Sequence, residues 1–229
     1  MPFSVGINTG TKLRMPKNIL TILQKQVLEI IFKDPWFRQY FYLTGGTALS
    51  AFHLFHRYSD DLDFFCHIQD LTPLVSLIDA ISKKIKKPFQ QLHKTPGFLR
   101  YKVDELKIDF VCDVPYRIGS PELINDFMVD CLHNIAVNKV CAILGRLDIK
   151  DYVDLYFIQK QHHYDIFELL SLGQRKDTGL DAFTWASLIG DIEHLQIYPR
   201  MIKKIEHKEL KIFFFNLRDL ILDKINPSA

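Results

Sequence analysis

Apolar positions along the chain change period several times, and each change marks an element. Between 17 and 33, Ile19, Leu20, Leu23, Val27, Ile30 and Ile31 recur at helical spacing with one buried side. Asp34-Pro35 stops that helix, because a residue before proline is disfavoured in the helical region. Phe41, Tyr42 and Leu43 form a short β-prone run, and Ala48, Leu49, Ala51 and Leu54 return to helical spacing. A further helix is predicted over 72–87, through Leu74, Leu77, Ile78, Ile81 and Ile85. Strand-like runs follow at 89–93, 98–103 and 106–114, with Asp104-Glu105 as a hairpin turn between the last two. From about 121 onward the pattern is helical throughout, and Pro115, Gly119 and Pro121 mark the change. The expected fold is therefore α+β: a mixed β-sheet with flanking helices, followed by an all-helical C-terminal part.

Composition excludes several classes. A chain of 229 residues with 48% hydrophobic and 24% charged positions is ordinarily globular, with room for one large domain or two small ones. A net charge of +2 does not predict a strong nucleic-acid binder, though it leaves a local basic patch open. The longest apolar runs fall far short of a membrane span. Residues 1–14 carry no apolar core of a signal peptide, so a cytoplasmic protein without membrane association is expected. Cys66, Cys112, Cys131 and Cys141 show no C-x-x-C spacing and read as reduced, mostly buried thiols.

The densest chemistry lies between 42 and 65. Gly45-Gly46-Thr47 is followed, after thirteen residues, by Asp61-Leu62-Asp63. The glycines permit close backbone approach and positive φ. Thr47 or Thr44 can cap the helix that follows, whose free N–H groups favour an anion. Asp61 and Asp63, two apart on a strand, point to one face, with Leu62 and Phe64 directed into the core. Two carboxylates on one face repel unless a cation sits between them. Mg²⁺, which takes one or two carboxylates plus phosphate oxygens, suits the role. The blander reading is an acidic turn after an ordinary helix start; order, spacing and apolar flanks favour the nucleotide-and-metal reading.

A third acid, Asp109, lies in a strand-like run where Ile108 and Phe110 share one side and Lys107, Asp109 and Val111 the other. A lone strand acid more commonly faces solvent. If its strand neighbours that of Asp61 and Asp63, the three converge and can hold two Mg²⁺ (or Mn²⁺) ions, with Asp109 a general base or second-metal ligand. Asp113 shares the face but lies further along. In the helical half, Lys139 and Arg146 are seven apart and share a face, while Asp151 and Asp154 on the next helix can pair with them. Either this is a structural salt-bridge network, or Lys139 contacts a triphosphate with Arg146 and Asp151 holding it or the substrate.

The set of Gly-Gly-Thr, Asp-x-Asp and a later strand Asp resembles the nucleotidyltransferase superfamily, and more closely its AbiEii/AbiGii toxin-type members. The matching residues are Leu43-Thr44-Gly45-Gly46-Thr47-Ala48-Leu49, Arg57-Tyr58-Ser59-Asp60-Asp61-Leu62-Asp63-Phe64, Lys139 to Arg146 and Asp151 to Tyr156. The resemblance implies a nucleotidyltransferase-like catalytic core over 1–118, with a helical domain over 119–229 that completes the nucleotide site and binds acceptor or partner. It implies Asp61, Asp63 and Asp109 as metal ligands, and these with Lys139 and Asp151 as catalytic residues. Gly45, Gly46, Thr47, Arg57, Ser59, Lys139 and Arg146 are the nucleotide-binding set, although Arg57 and Ser59 could equally support the loop, and Asp154 could be structural. It further implies an NTP such as ATP or GTP, an RNA acceptor such as a tRNA 3′ end, a separate antitoxin, and a toxin–antitoxin or phage-defence role. Rival readings are a small-molecule or protein acceptor, or a non-catalytic nucleotide-binding module.

Other features carry less. His53 and His56 lack a third ligand for zinc. The basic run Lys83-Lys84-Ile85-Lys86-Lys87 reads first as a solvated face, and Phe213-Phe214-Phe215 first as core.

Overall fold

The computed structural model describes residue 16 and residues 18–226. The stretch 1–14, expected to lack a signal peptide, and position 17, the expected start of the first helix, lie outside the described residues. The chain forms two compact units, one running to Cys131 and the other from Leu132.

In the first unit, α1 spans Ile22–Lys33 and starts later than its apolar period suggests, because Thr21 and Gln24 form a capping box. Asp34 ends α1, but it also caps a short second helix, α2 (Pro35–Tyr40), by accepting from the Trp36 and Phe37 N–H groups. Strand β1 (Phe41–Thr44) leads into α3 (Gly45–Ala48), which continues as a π-helical turn over Leu49–Leu54 and stops at Phe55, φ 53°. Then come β2 (Leu62–Cys66), α4 (Leu74–Ile85), β3 (Gln90–Thr95), β4 (Phe98–Val103) and β5 (Leu106–Cys112). The expected Asp104-Glu105 turn joins β4 to β5.

The expectation of helix alone beyond 121 is corrected here. Glu122–Ile124 and Phe127–Val129 are strands β6 and β7, a hairpin added to the sheet before the helices begin. Three-residue strands are too short to show alternation. The readable signal was Asn125-Asp126, both at positive φ, as a tight hairpin turn requires.

The described strands form a mixed seven-stranded sheet in the order β3-β4-β5-β2-β1-β7-β6. Its two central pairings matter most: β1 runs antiparallel to β2, and β2 runs parallel to β5. Leu62, Phe64, Ile108, Phe110 and Leu99 are fully buried on one face. There Phe64 stacks on Phe110 at 5.3 Å, and Phe37 of α2 closes on Phe110 at 5.8 Å. The alternate residues Asp63, Asp109 and Arg100 lie on the opposite, half-buried face. Burial of one face thus fixes which side the acids occupy.

The second unit is helical: α5 (Leu132–Gly145), α6 (Ile149–His162), α7 (Ile166–Gln174), α8 (Ala182–Ile189), a 3₁₀ turn and α9 (His207–Ile225). Helix α6 is buried along most of its length, Asp151 and Asp154 included. Trp185 is wholly buried and donates to the Val140 carbonyl at 2.9 Å, and Tyr152 packs edge-on to Phe214 at 4.9 Å. Among the described residues no helix is long and apolar enough to cross a membrane. The overall class is α+β with a helical C-terminal part, as the sequence predicts.

Candidate active site

The turn from β1 into α3 is built around two absent side chains. Gly45 has φ +68°, and a Cβ there would collide with the Asp63 carboxylate. A Cβ on Gly46 would stand 2.6 Å from Arg57 Nη2 and 2.9 Å from Ser59 Oγ. The glycine pair therefore admits an acid on one side, and a guanidinium and a hydroxyl on the other. Arg57 is buried, and its Nη1 donates to the Tyr58 carbonyl at 2.9 Å. Gln24 donates to the Ser59 carbonyl at 2.8 Å, which ties the loop to α1.

Neither threonine caps α3. Thr44 makes no capping hydrogen bond and instead donates to the buried Asp130 carboxylate at 2.7 Å. The Thr47 hydroxyl donates to the Asp61 carbonyl, so it fixes the approach to β2. Asp130, wholly buried, also receives Arg117 Nη2 at 2.5 Å. Arg117 in turn lies over the Tyr42 ring at 4.7 Å, and Tyr42 donates to Asp113. Asp113, left out of the expected set, is thereby engaged at the side of β1.

The condition on Asp109 is met. Strands β2 and β5 are neighbours, and Asp63 and Asp109 are register partners. An added residue appears that the sequence reading passed over. Arg100 faces Asp109 across β4 and β5, with Nε 2.8 Å from Oδ1 and Nη2 2.6 Å from Oδ2. Its pKa is raised, first by these hydrogen bonds, against some desolvation, and then by the charges of Asp109, Asp61 and Asp63. All three acids therefore act on one guanidinium. The signal was available: a turn at Asp104-Glu105 sets Val103 against Leu106, and counting back three places Arg100 opposite Asp109.

His53 and His56 do not meet a third ligand. His53 Nε2 lies 2.9 Å from the Asp130 carbonyl, and among the described residues no three His, Cys, Asp or Glu side chains are grouped so as to hold a metal ion. The cysteines are free thiols, and burial pushes Cys66 up to about 12 and Cys141 to about 11.

The helical unit brings its predicted residues together. Lys139 Nζ lies 2.8 Å from Asp151 and 2.6 Å from Asp154. Arg146 reaches Asp151 through Nε at 2.8 Å and Nη2 at 3.2 Å. Both acids are wholly buried, while the Arg146 side chain is 62% exposed. Burial alone would raise the Asp151 pKa; Lys139 and Arg146 outweigh it and hold the group below its ordinary value.

A family model described as "Nucleotidyl transferase AbiEii toxin, Type IV TA system" matches residues 26–209. An uncharacterised protein of Aquifex aeolicus (strain VF5) is 34% identical over 148 residues, 62% of this chain and 68% of that one. JHP933 from Helicobacter pylori has a similar fold, with a TM-score of 0.58 at 19% identity over 90% of this chain and 91% of that one. The structure of ANT(2'')-Ia in complex with adenylyl-2''-tobramycin matches with a TM-score of 0.50 at 11% identity, over 69% of this chain and 96% of that one. The family model covers the greater part of the chain, and the protein belongs to the AbiEii family of nucleotidyltransferase toxins.

Proposed function

We propose that the protein moves a nucleoside monophosphate from an NTP onto RNA, a tRNA 3′ end being the first acceptor to test. In this reading it is the cytoplasmic toxin of a toxin–antitoxin or phage-defence pair, restrained by a separate antitoxin protein. The family supports nucleotidyl transfer, and its description as a toxin system supports the biological role. The observation that carries the chemistry is the convergence of Gly45, Asp63 and Asp109 at the turn that opens α3.

The acids suit a divalent metal ion, Mg²⁺ or Mn²⁺. Asp61 and Asp63 offer hard oxygen donors, and beside Asp63 the Asp109 carboxylate already holds one cation, Arg100, through both oxygens. Phosphate oxygens would supply the remaining ligands. When bound, the metal supplies charge neutralisation on the triphosphate and acidifies the attacking hydroxyl.

The chain's own residues do the positioning. Half-buried Gly45 and Gly46 would offer their backbone to the β- and γ-phosphates, buried Thr47 holds the turn to the Asp61 carbonyl, and Arg57 and Ser59 pack behind Gly46. Asp109 completes the set as a metal ligand or as the base that takes the acceptor's proton. The acceptor oxygen bonds to the α-phosphorus, the bond to the bridging oxygen breaks, and pyrophosphate leaves. Within the helical unit, Arg146 is an exposed cation that can meet an anion, held by Asp151, which Lys139 also engages.

Each of four α-³²P NTPs, incubated with total RNA and Mg²⁺, tests this against Asp63→Asn. Label on a discrete RNA band, lost in the variant, is the expected result. Pyrophosphate release with cell extract but no labelled RNA would move the acceptor to a small molecule or protein. Nucleotide binding with neither signal would leave a binding module.

A further inference from the structure

Two ion-pair systems in this protein have opposite character. Lys139 and its carboxylates are sealed, with side chains 7% and 0% exposed. Separating them would strand buried charge, which the fold resists strongly. The Arg100–Asp109 pair is open: the arginine side chain is 42% exposed and the aspartate 15%. An arginine at that exposure exchanges a carboxylate for water at little cost. The pair also sits where a cation is wanted, since β4 places Arg100 opposite Asp109 and β2 places Asp63 beside it.

Both oxygens of Asp109 accept from the guanidinium. A dication entering the set would meet this unit positive charge at close range. Without any cation, the Asp63 and Asp109 carboxylates would stand side by side on neighbouring strands. Arg100 resolves that repulsion, and its fork geometry suits a carboxylate better than an ammonium would. The nearby Phe98 ring, 5.2 Å from the guanidinium carbon, gives the side chain a second surface to rest on.

We propose that Arg100 is the resident counter-cation of Asp109 and its register neighbour Asp63 in the metal-free protein, and that it gives up Asp109 when a divalent cation binds. Arg100 is thus a positioning residue that sets the metal affinity of the site. The inference rests on the metal reading given under Proposed function and adds the group that competes with the ion.

Mn²⁺ titration followed by electron paramagnetic resonance, with and without NTP, tests it on the full chain as wild type, Arg100→Gln and Arg100→Lys. Arg100→Gln is expected to bind Mn²⁺ about tenfold more tightly than wild type, the repulsion of a unit charge near a dication in a water-like dielectric. It should also melt at a lower temperature than wild type without metal, with the gap closing at saturating Mn²⁺. Arg100→Lys, which keeps the charge, should stay near the wild-type affinity. Equal or weaker Mn²⁺ binding by Arg100→Gln, with wild type binding normally, would overturn the inference and leave the metal reading standing. Wild type that binds no Mn²⁺ even with NTP would overturn both.

Discussion

The carboxylate of Asp63 occupies the space that a side chain on Gly45 would need. Residue 45 also stands at φ +68°, a conformation that costs an L-residue about 1–2 kcal/mol. Gly45→Ala therefore meets two penalties, one in the backbone and one in the displaced acid. It is expected to lose about 2 kcal/mol of stability and nearly all nucleotidyl transfer. Gly46→Ala meets Arg57 and Ser59 instead, so it should leave Asp63 in place and chiefly weaken NTP binding. Thermal melts and steady-state kinetics of the two variants separate these effects.

Removal of Lys139 takes the ammonium away from two wholly buried carboxylates. Lys139→Ala should cost about 3–5 kcal/mol, measured by urea unfolding. Arg146→Ala should cost clearly less, because that side chain is 62% exposed.

Acid should act on the helical unit through Asp151. Its folded-state pKa lies below the ordinary carboxylate value, so the unfolded chain takes up the proton first. The stabilisation is complete above about pH 4, the unfolded value, and is lost as pH falls below it through the folded value. Asp151→Asn should flatten that dependence below about pH 4. Circular dichroism melts across the range measure it.

Thr44 and Asp130 link β1 to the residue that follows β7 by a fully buried hydrogen bond. Thr44→Val removes the donor and leaves the carboxylate one partner short, at a cost of about 1–3 kcal/mol. Activity per folded molecule should fall less than in Asp63→Asn, since Thr44 supports the strand and not the acids. Comparison of melting temperature with specific activity distinguishes the two.

How much of this was legible depended on how far along the chain each constraint acts. Gly45-Gly46 and Asp61-Leu62-Asp63 carry their signal within twenty residues, and the alternation around Phe64 and Phe110 fixed which face the acids take. The neighbourhood of β2 and β5 is a long-range pairing, with three elements, α4, β3 and β4, between them in sequence. No local pattern encodes it, and only the sheet order sets Asp63 beside Asp109. Thr44 and Thr47 misled because a threonine before a helix suggests a cap; here a buried acid and the Asp61 carbonyl claimed their hydroxyls. Arg100 carries no local mark of its role, because an arginine in an alternating strand has the pattern of a solvent-facing residue. Glu122 to Val129 escaped because its strands are shorter than one readable alternation.

The most direct test of the account is an anomalous difference map from crystals grown with Mn²⁺ and a non-hydrolysable NTP. The account predicts a peak bonded to Asp61 and Asp63, with the triphosphate running past Gly45 and Gly46. A bound nucleotide whose metal peak lies away from these acids would contradict it.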